Sequence, residues 1–197
     1  MVKLYTDTNM SMPVFVKRGK RAGPTLFISA AIHGDELNGT EIVNRLLAVG
    51  AMKRLHGTLI AIPVLNVYGL INRSRYLPGG VDLDRCFPGA KSGTLASRVA
   101  HIFTEEIFSK ADVCINLKTG LINCSNLPQV CVNFDDEQGK TLAKAFNAIM
   151  SAPTLFNHSV YDRVVIWAVH IPWLNQLSCK KGQSRTPDRS SMRLNHF

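Results

Sequence analysis

Short apolar runs alternating with stretches of helical spacing constrain the fold of this chain more than any other feature. "MPVFVKR", "TLFISAA", "TLIAIPVL", "ADVCINL" and "PQVCVN" each have the length and apolar character of a strand. "TLIAIPVL" is continuously apolar, as expected of a strand buried on both faces. Between the runs, "TEIVNRLLAVGAM" places Ile42, Val43, Leu46 and Leu47 on one helical stripe. "TLASRVAHIFTEEIF" does the same with Leu95, Val99, Ile102 and Phe103, and "DDEQGKTLAKAFNAIM" with Leu142, Ala145, Phe146 and Ile149. Asn38 followed three residues later by Glu41 suits a capping box at the first helix. The alternation predicts an α/β domain whose mixed or mostly parallel sheet is flanked by helices.

A chain of 197 residues can bury the core of one domain. The expected domain covers residues 1–177, with an atypical C-terminal part, and leaves 178–197 as a basic, disordered tail. The last eighteen residues hold five Lys/Arg and one Asp, and so supply +4 of the net charge of +9. That concentration, without a nucleic-acid motif beside it, argues against a nucleic-acid partner. The apolar runs are too short to span a bilayer, and the start "MVKLYTDTNM" lacks the apolar segment of a leader. The expectation is a cytoplasmic protein with no membrane partner. Five cysteines without a CxxC pair read as reduced thiols rather than a cysteine zinc site.

Chemistry is suggested where "LFISAAIHGDELNG" ends. A strand that stops at His33 leaves His33 and Glu36 on a glycine-containing turn into the next helix, and ligands of open α/β sheets collect at such strand ends. Imidazole plus carboxylate is two-thirds of a catalytic zinc site. The spacing alone leaves a second reading open, a carboxylate-rich helix start beside a chance histidine. A second constellation lies in the long irregular stretch from Asn66 to Gly93. There "NRSRYLPGGVDLDRCFPG" gathers Arg73, Arg75 and Arg85 among prolines and glycines that can fix forked cationic donors in place.

"HGDE", "PVLNVYG", "SRYLPGGVDLDRCFPG" and "SNLPQVCVN", in this order, resemble the succinylglutamate desuccinylase/aspartoacylase family of zinc carboxypeptidase-like hydrolases. The resemblance runs from about Phe27 to about Phe146. It implies a zinc-dependent deacylase in which a zinc-activated water cleaves the amide of an acylated amino acid or related small molecule. It also implies roles for individual residues. His33 and Glu36 would be metal ligands, Arg75 the catalytic arginine that polarises the scissile carbonyl, and Arg85 the holder of a substrate carboxylate, with Asp84 beside it.

The same resemblance exposes departures. The family's third ligand is a histidine in Asp-Leu-His-Thr-Gly, whereas this chain reads "INLKTG", with Asn116 for the aspartate and Lys118 for the histidine. A protonated lysine has no lone pair for zinc; only carbamylation or a strongly lowered pKa would give it one. Asp84 stands for the asparagine of DLNR and is expected to neutralise Arg85 in part. Cys131 falls where similar sequences carry arginine. Near the expected general-base glutamate, "HIPWLNQLSCKKG" offers Gln176 or Leu177 and no carboxylate. Lys118 is expected to face His33 and Glu36 and to pair with Glu36. The alternative function is a non-catalytic, truncated relative that binds a small carboxylate or has no activity.

Overall fold

The computed structural model describes residues 2–3, 9–49, 53–119, 129–132, 136–146, 149–151 and 164–169. In chain order the strands and helices are β1 (Val2–Lys3), β2 (Asn9–Met10), β3 (Phe15–Arg18), β4 (Arg21–Ala30), α1 (Asn38–Ala48), β5 (His56–Ile62) and α2 (Val67–Asn72). Then come α3 (Leu95–Glu106), β6 (Val113–Thr119), β7 (Gln129–Cys131), α4 (Glu137–Ala145), β8 (Ile149–Ser151) and β9 (Val164–Val169). One sheet has the order β3-β5-β4-β6-β9-β7-β8. Its centre, β5-β4-β6-β9, is parallel, while β3 and β7 pair antiparallel with β5 and β9. The sheet is therefore mixed and flanked by helices, as expected. β1 and β2 form a separate antiparallel pair.

β4 is central because both of its faces are apolar. Alternate residues of a strand point to opposite faces. Phe27 therefore joins a cluster with Ile32, Ile62, Phe103 and Phe108, while Ile28 and Ala30 join another with Val43, Leu59 and Leu117. Helix α3 contributes Ala96, Ala100 and Phe103 to the first cluster, and α1 packs Ile42, Leu46 and Leu47 against the second. Phe27 meets Phe108 edge to face at 5.2 Å between ring centres. A buried phenylalanine of this kind contributes roughly 1.5–3 kcal/mol.

Several sequence expectations need correction. No capping box forms. Leu37 is the N-cap of α1 without a side-chain bond, Asn38 is already helical, and Glu41 instead accepts from Arg45 Nε at 2.7 Å. The Thr40 hydroxyl donates to Pro63 O at 2.9 Å, tying the first turn to the chain after β5. In α3 the buried line is Ala96, Ala100 and Phe103, and Ile102 is exposed. Leu95 and Val99 are only partly buried but still pack against the same cluster, so of the four expected residues Ile102 alone turns outward. Strand β5 alternates in burial from Gly57 to Ala61 instead of being buried throughout. The third helix stops at Ala145, so Ile149 belongs to β8. The stretch from Asn66 to Gly93 is not structureless, since it contains α2, a Leu77–Val81 bridge and a 3-10 turn at Leu83–Arg85. No helix among the described residues is long and apolar enough to cross a membrane. Residues 178–197, Gln176 and Leu177 lie outside the described residues.

Candidate active site

The turn after β4 is fixed by the chain that follows β5. Leu65 N–H donates to Ala30 O at 3.0 Å and Asn66 N–H to Ala31 O at 2.9 Å. Asn66 then caps α2 by accepting from Gly69 N–H at 2.8 Å, while its amide reaches Arg75 O at 3.4 Å. Gly34 N–H donates to Ser74 O at 3.0 Å. A Cβ built on Gly34 would lie 1.8 Å from the carbonyl carbon of Gly69. The glycine between the imidazole and the carboxylate therefore lets α2 and the turn carrying Arg75 seat directly on the end of β4.

This seating brings distant polar groups together. His33 and Glu36 are buried, with His33 Nδ1 2.6 Å from Glu36 Oε1. Nε2 of the same ring lies 3.0 Å from Asp82 Oδ1. Arg75 reaches Glu36 Oε1 at 3.5 Å and Asp82 Oδ2 at 3.4 Å. The end of β6 closes the cluster, with Thr119 N–H donating to Glu36 Oε2 at 3.0 Å. His33, Glu36 and Arg75 thus converge at the carboxyl end of the sheet. Arg85 sits at the rim, its side chain 66% exposed and Nε 3.8 Å from Asp82 Oδ2. Cys131 is buried in the main apolar cluster.

Asp82 is the residue that the sequence reading missed. It lies two places before the singled-out Asp84, and its proximity to His33 spans 49 residues. Burial alone would lower the His33 pKa, and the Lys118 charge works in the same direction. Hydrogen bonds to Asp82 and Glu36 outweigh both, so the His33 pKa is raised from its ordinary value of 6.5. Burial alone would push Asp82 up, but the bond from His33, the charges of His33 and Arg75, and the backbone N–H of Asp84 hold it at about 2. A depressed carboxyl pKa stabilises the fold above the ordinary carboxylate range, and that stabilisation is lost as pH falls through about 2. Asp82→Asn should therefore cost roughly 2 kcal/mol at neutral pH and flatten the decline in stability between about pH 4 and 2. Urea unfolding across that range checks it; an unchanged acid slope would show that Asp82 has no such partner.

Lys118 does not pair with Glu36. Its ammonium donates to Asp84 Oδ2 at 2.7 Å, and the two side chains are 1% and 0% exposed. Asp84 thus faces into the protein, and Arg85 Nε lies 3.8 Å from Asp82 Oδ2. The Asp84 carboxylate is taken by Lys118 in the interior, whereas the Arg85 side chain stands at the exposed rim. Asn116, two residues before Lys118, accepts from the Ser29 hydroxyl at 3.2 Å, and its amide nitrogen is buried without a partner among the described residues.

A catalytic zinc ion takes three protein donors and keeps one open position. His33 Nδ1 and Glu36 Oε1 could supply two. Among the described residues no cluster of three or more His, Cys, Asp or Glu could hold a metal. The lysine at the place of the expected third ligand is a committed hydrogen-bond donor to Asp84. The donor set among the described residues does not fit a three-ligand zinc site.

A mixed sheet of this order, with helices on its faces, is a zinc-carboxypeptidase-like fold. Residues 22–165 match the model of the succinylglutamate desuccinylase/aspartoacylase catalytic domain, and the chain belongs to that family of deacylases and amide hydrolases. It is 30% identical over 139 residues to an N-alpha-acetyl-L-2,4-diaminobutyric acid deacetylase of Halomonas elongata, covering 68% of this chain and 40% of that one. It also resembles the product-bound ectoine utilization protein EutE (DoeB) of Ruegeria pomeroyi, with 27% identity, a TM-score of 0.70 and coverage of 81% of this chain and 53% of the other. A succinylglutamate desuccinylase/aspartoacylase of Rhodobacter sphaeroides shares the fold, with a TM-score of 0.75 at 22% identity over 86% of this chain and 55% of the other. The chain thus spans about two-fifths to just over half the length of these relatives.

Proposed function

We propose that this chain is a deacylase-type protein that recognises the carboxylate end of a small N-acylated amino acid or related amide, and that its hydrolytic step is impaired. Arg85 supplies the recognition, because forked guanidinium donors suit carboxylates. Arg75, which pairs with Glu36 and Asp82, would polarise a bound carbonyl, a role that its convergence with His33 and Glu36 supports. Three residues of the centre divide the remaining work. His33 sits between two carboxylates, with Glu36 fixing one side of the imidazole and Asp82 the other. His33 and Glu36 are the residues that would hold a metal.

One observation carries the impairment. Lys118 is bonded to Asp84, so among the described residues the donor set stops at His33 and Glu36. The resemblance also places no carboxylate where a general base is needed, a loss worth about 10²–10⁴ in rate. The test is turnover of N-acetyl and N-succinyl amino acids, with N-acetyl-2,4-diaminobutyrate among them, alongside zinc content at neutral pH. The expected result is substoichiometric zinc and little turnover, with binding of the substrate carboxylate retained. Stoichiometric zinc with rapid hydrolysis would sink the proposal. The alternative, a non-catalytic relative that only holds a small carboxylate, is favoured by the same lysine and would show binding with no turnover at all. Either function is proposed for the cytoplasm.

A further inference from the structure

Lys118 and Asp84 are the most deeply buried oppositely charged pair among the described ion pairs. The other pairs with low exposure on both sides all radiate from His33, Glu36 and Asp82. Lys118 comes from β6 and Asp84 from the 3-10 turn, 34 residues apart in the chain. A buried ammonium costs several kcal/mol in desolvation unless an opposite charge meets it at good geometry. Here the contact is 2.7 Å. The pair is also joined to the rest of the centre, since Asp84 N–H donates to Asp82 Oδ1 at 3.1 Å and Asp82 holds His33.

We infer that Lys118 and Asp84 act as one unit, in which Lys118 is the fixed internal cation of the centre, Asp84 is what permits its burial, and the two together close the place beside His33 and Glu36 to a metal ion. This deepens the functional proposal and rests on its reading that the metal donors stop at two. Neither residue is then a lone departure from the family pattern. A lysine in this position without an acid at 84 leaves a bare buried cation, and an acid at 84 without the lysine leaves a bare buried anion. Asp84 Oδ1 is already buried without a partner, so the carboxylate has no second cation to fall back on among the described residues.

The test is a cycle of Asp84→Asn, Lys118→Met and the double variant, followed by thermal and urea unfolding, with the parent also measured after chelation and with added zinc chloride. Removing one partner of a buried pair costs a factor of roughly 10²–10³ in the folding equilibrium, and replacing both costs far less. Each single variant should therefore lose that factor, and the double variant should recover most of it. If a single variant does not fold at all, recovery of folded protein in the double variant gives the same answer. Parent stability should be indifferent to chelator and to zinc. Additive losses in the double variant would overturn the pairing, and a parent transition that moves with zinc would overturn the closure to metal. Rapid turnover by a parent that passes both measurements would overturn the functional proposal and leave this inference standing.

Discussion

Gly34→Ala should lower stability by about 3 kcal/mol or more, beyond the cost of an ordinary overpacking change. The added Cβ would meet Gly69 C at 1.8 Å, Leu70 N at 2.2 Å and Gly69 O at 2.3 Å, all of them backbone atoms of α2. No rotamer change relieves a clash with backbone. Helix α2 would have to withdraw, taking the Gly34–Ser74 hydrogen bond and the seat of Arg75 with it. For a domain of this size each kcal/mol moves Tm by about 2–4 °C, so a fall of roughly 6–12 °C is expected. Gly79→Ala is the control. Gly79 has φ +90° but nothing within 4 Å of its built Cβ, so only backbone strain is at stake, about 1–2 kcal/mol. Carboxylate binding should also weaken in Gly34→Ala and persist in Gly79→Ala. Equal Tm losses in the two variants would mean that α2 does not depend on contact with the end of β4.

What could be read from the sequence was local in origin. The alternation of apolar runs and helical stripes placed β4, β5, β6, α1 and α3 close to their positions. His33 and Glu36 were legible because a strand end, a glycine and two chemically matched residues fall within four positions, and Arg75 because its loop is punctuated by proline and glycine. The errors came where the third dimension decides. Ile102 looked like a core residue by spacing, but α3 buries Ala96, Ala100 and Phe103 and leaves Ile102 exposed. Glu36 looked like the partner of Lys118 by proximity to His33, but its carboxylate is already held by His33 and by Thr119 N–H, 83 residues away. Asp82 and Asp84 are two residues apart and chemically identical, and only the turn between them sends one to His33 and the other to Lys118. A residue type can be read from a sequence, whereas a choice between two adjacent carboxylates depends on backbone direction.

The double variant Asp84→Asn/Lys118→His should bind zinc at least about 10²-fold more tightly than the parent. Outer-shell partners of a metal site are worth about 10–100-fold in affinity, and a ligand that touches the ion is worth more. The change acts in two ways, removing an ammonium that repels a divalent ion and adding an imidazole that can donate to it. Asp84 must be replaced at the same time, because Lys118→His alone strands a carboxylate that is 0% exposed on its side chain. His33 sets the pH dependence. Its pKa is raised, so protons compete with zinc for this ring more than for a free imidazole, and affinity should climb with pH. Competition with a chromogenic chelator at several pH values measures both effects, and equal affinities in parent and variant would show that the third position was never the obstacle. Hydrolysis should recover far less than metal binding, because a third ligand does not supply a general base. Zinc affinity and turnover would then separate in one protein, and that separation distinguishes a centre short of one ligand from a centre short of two functions.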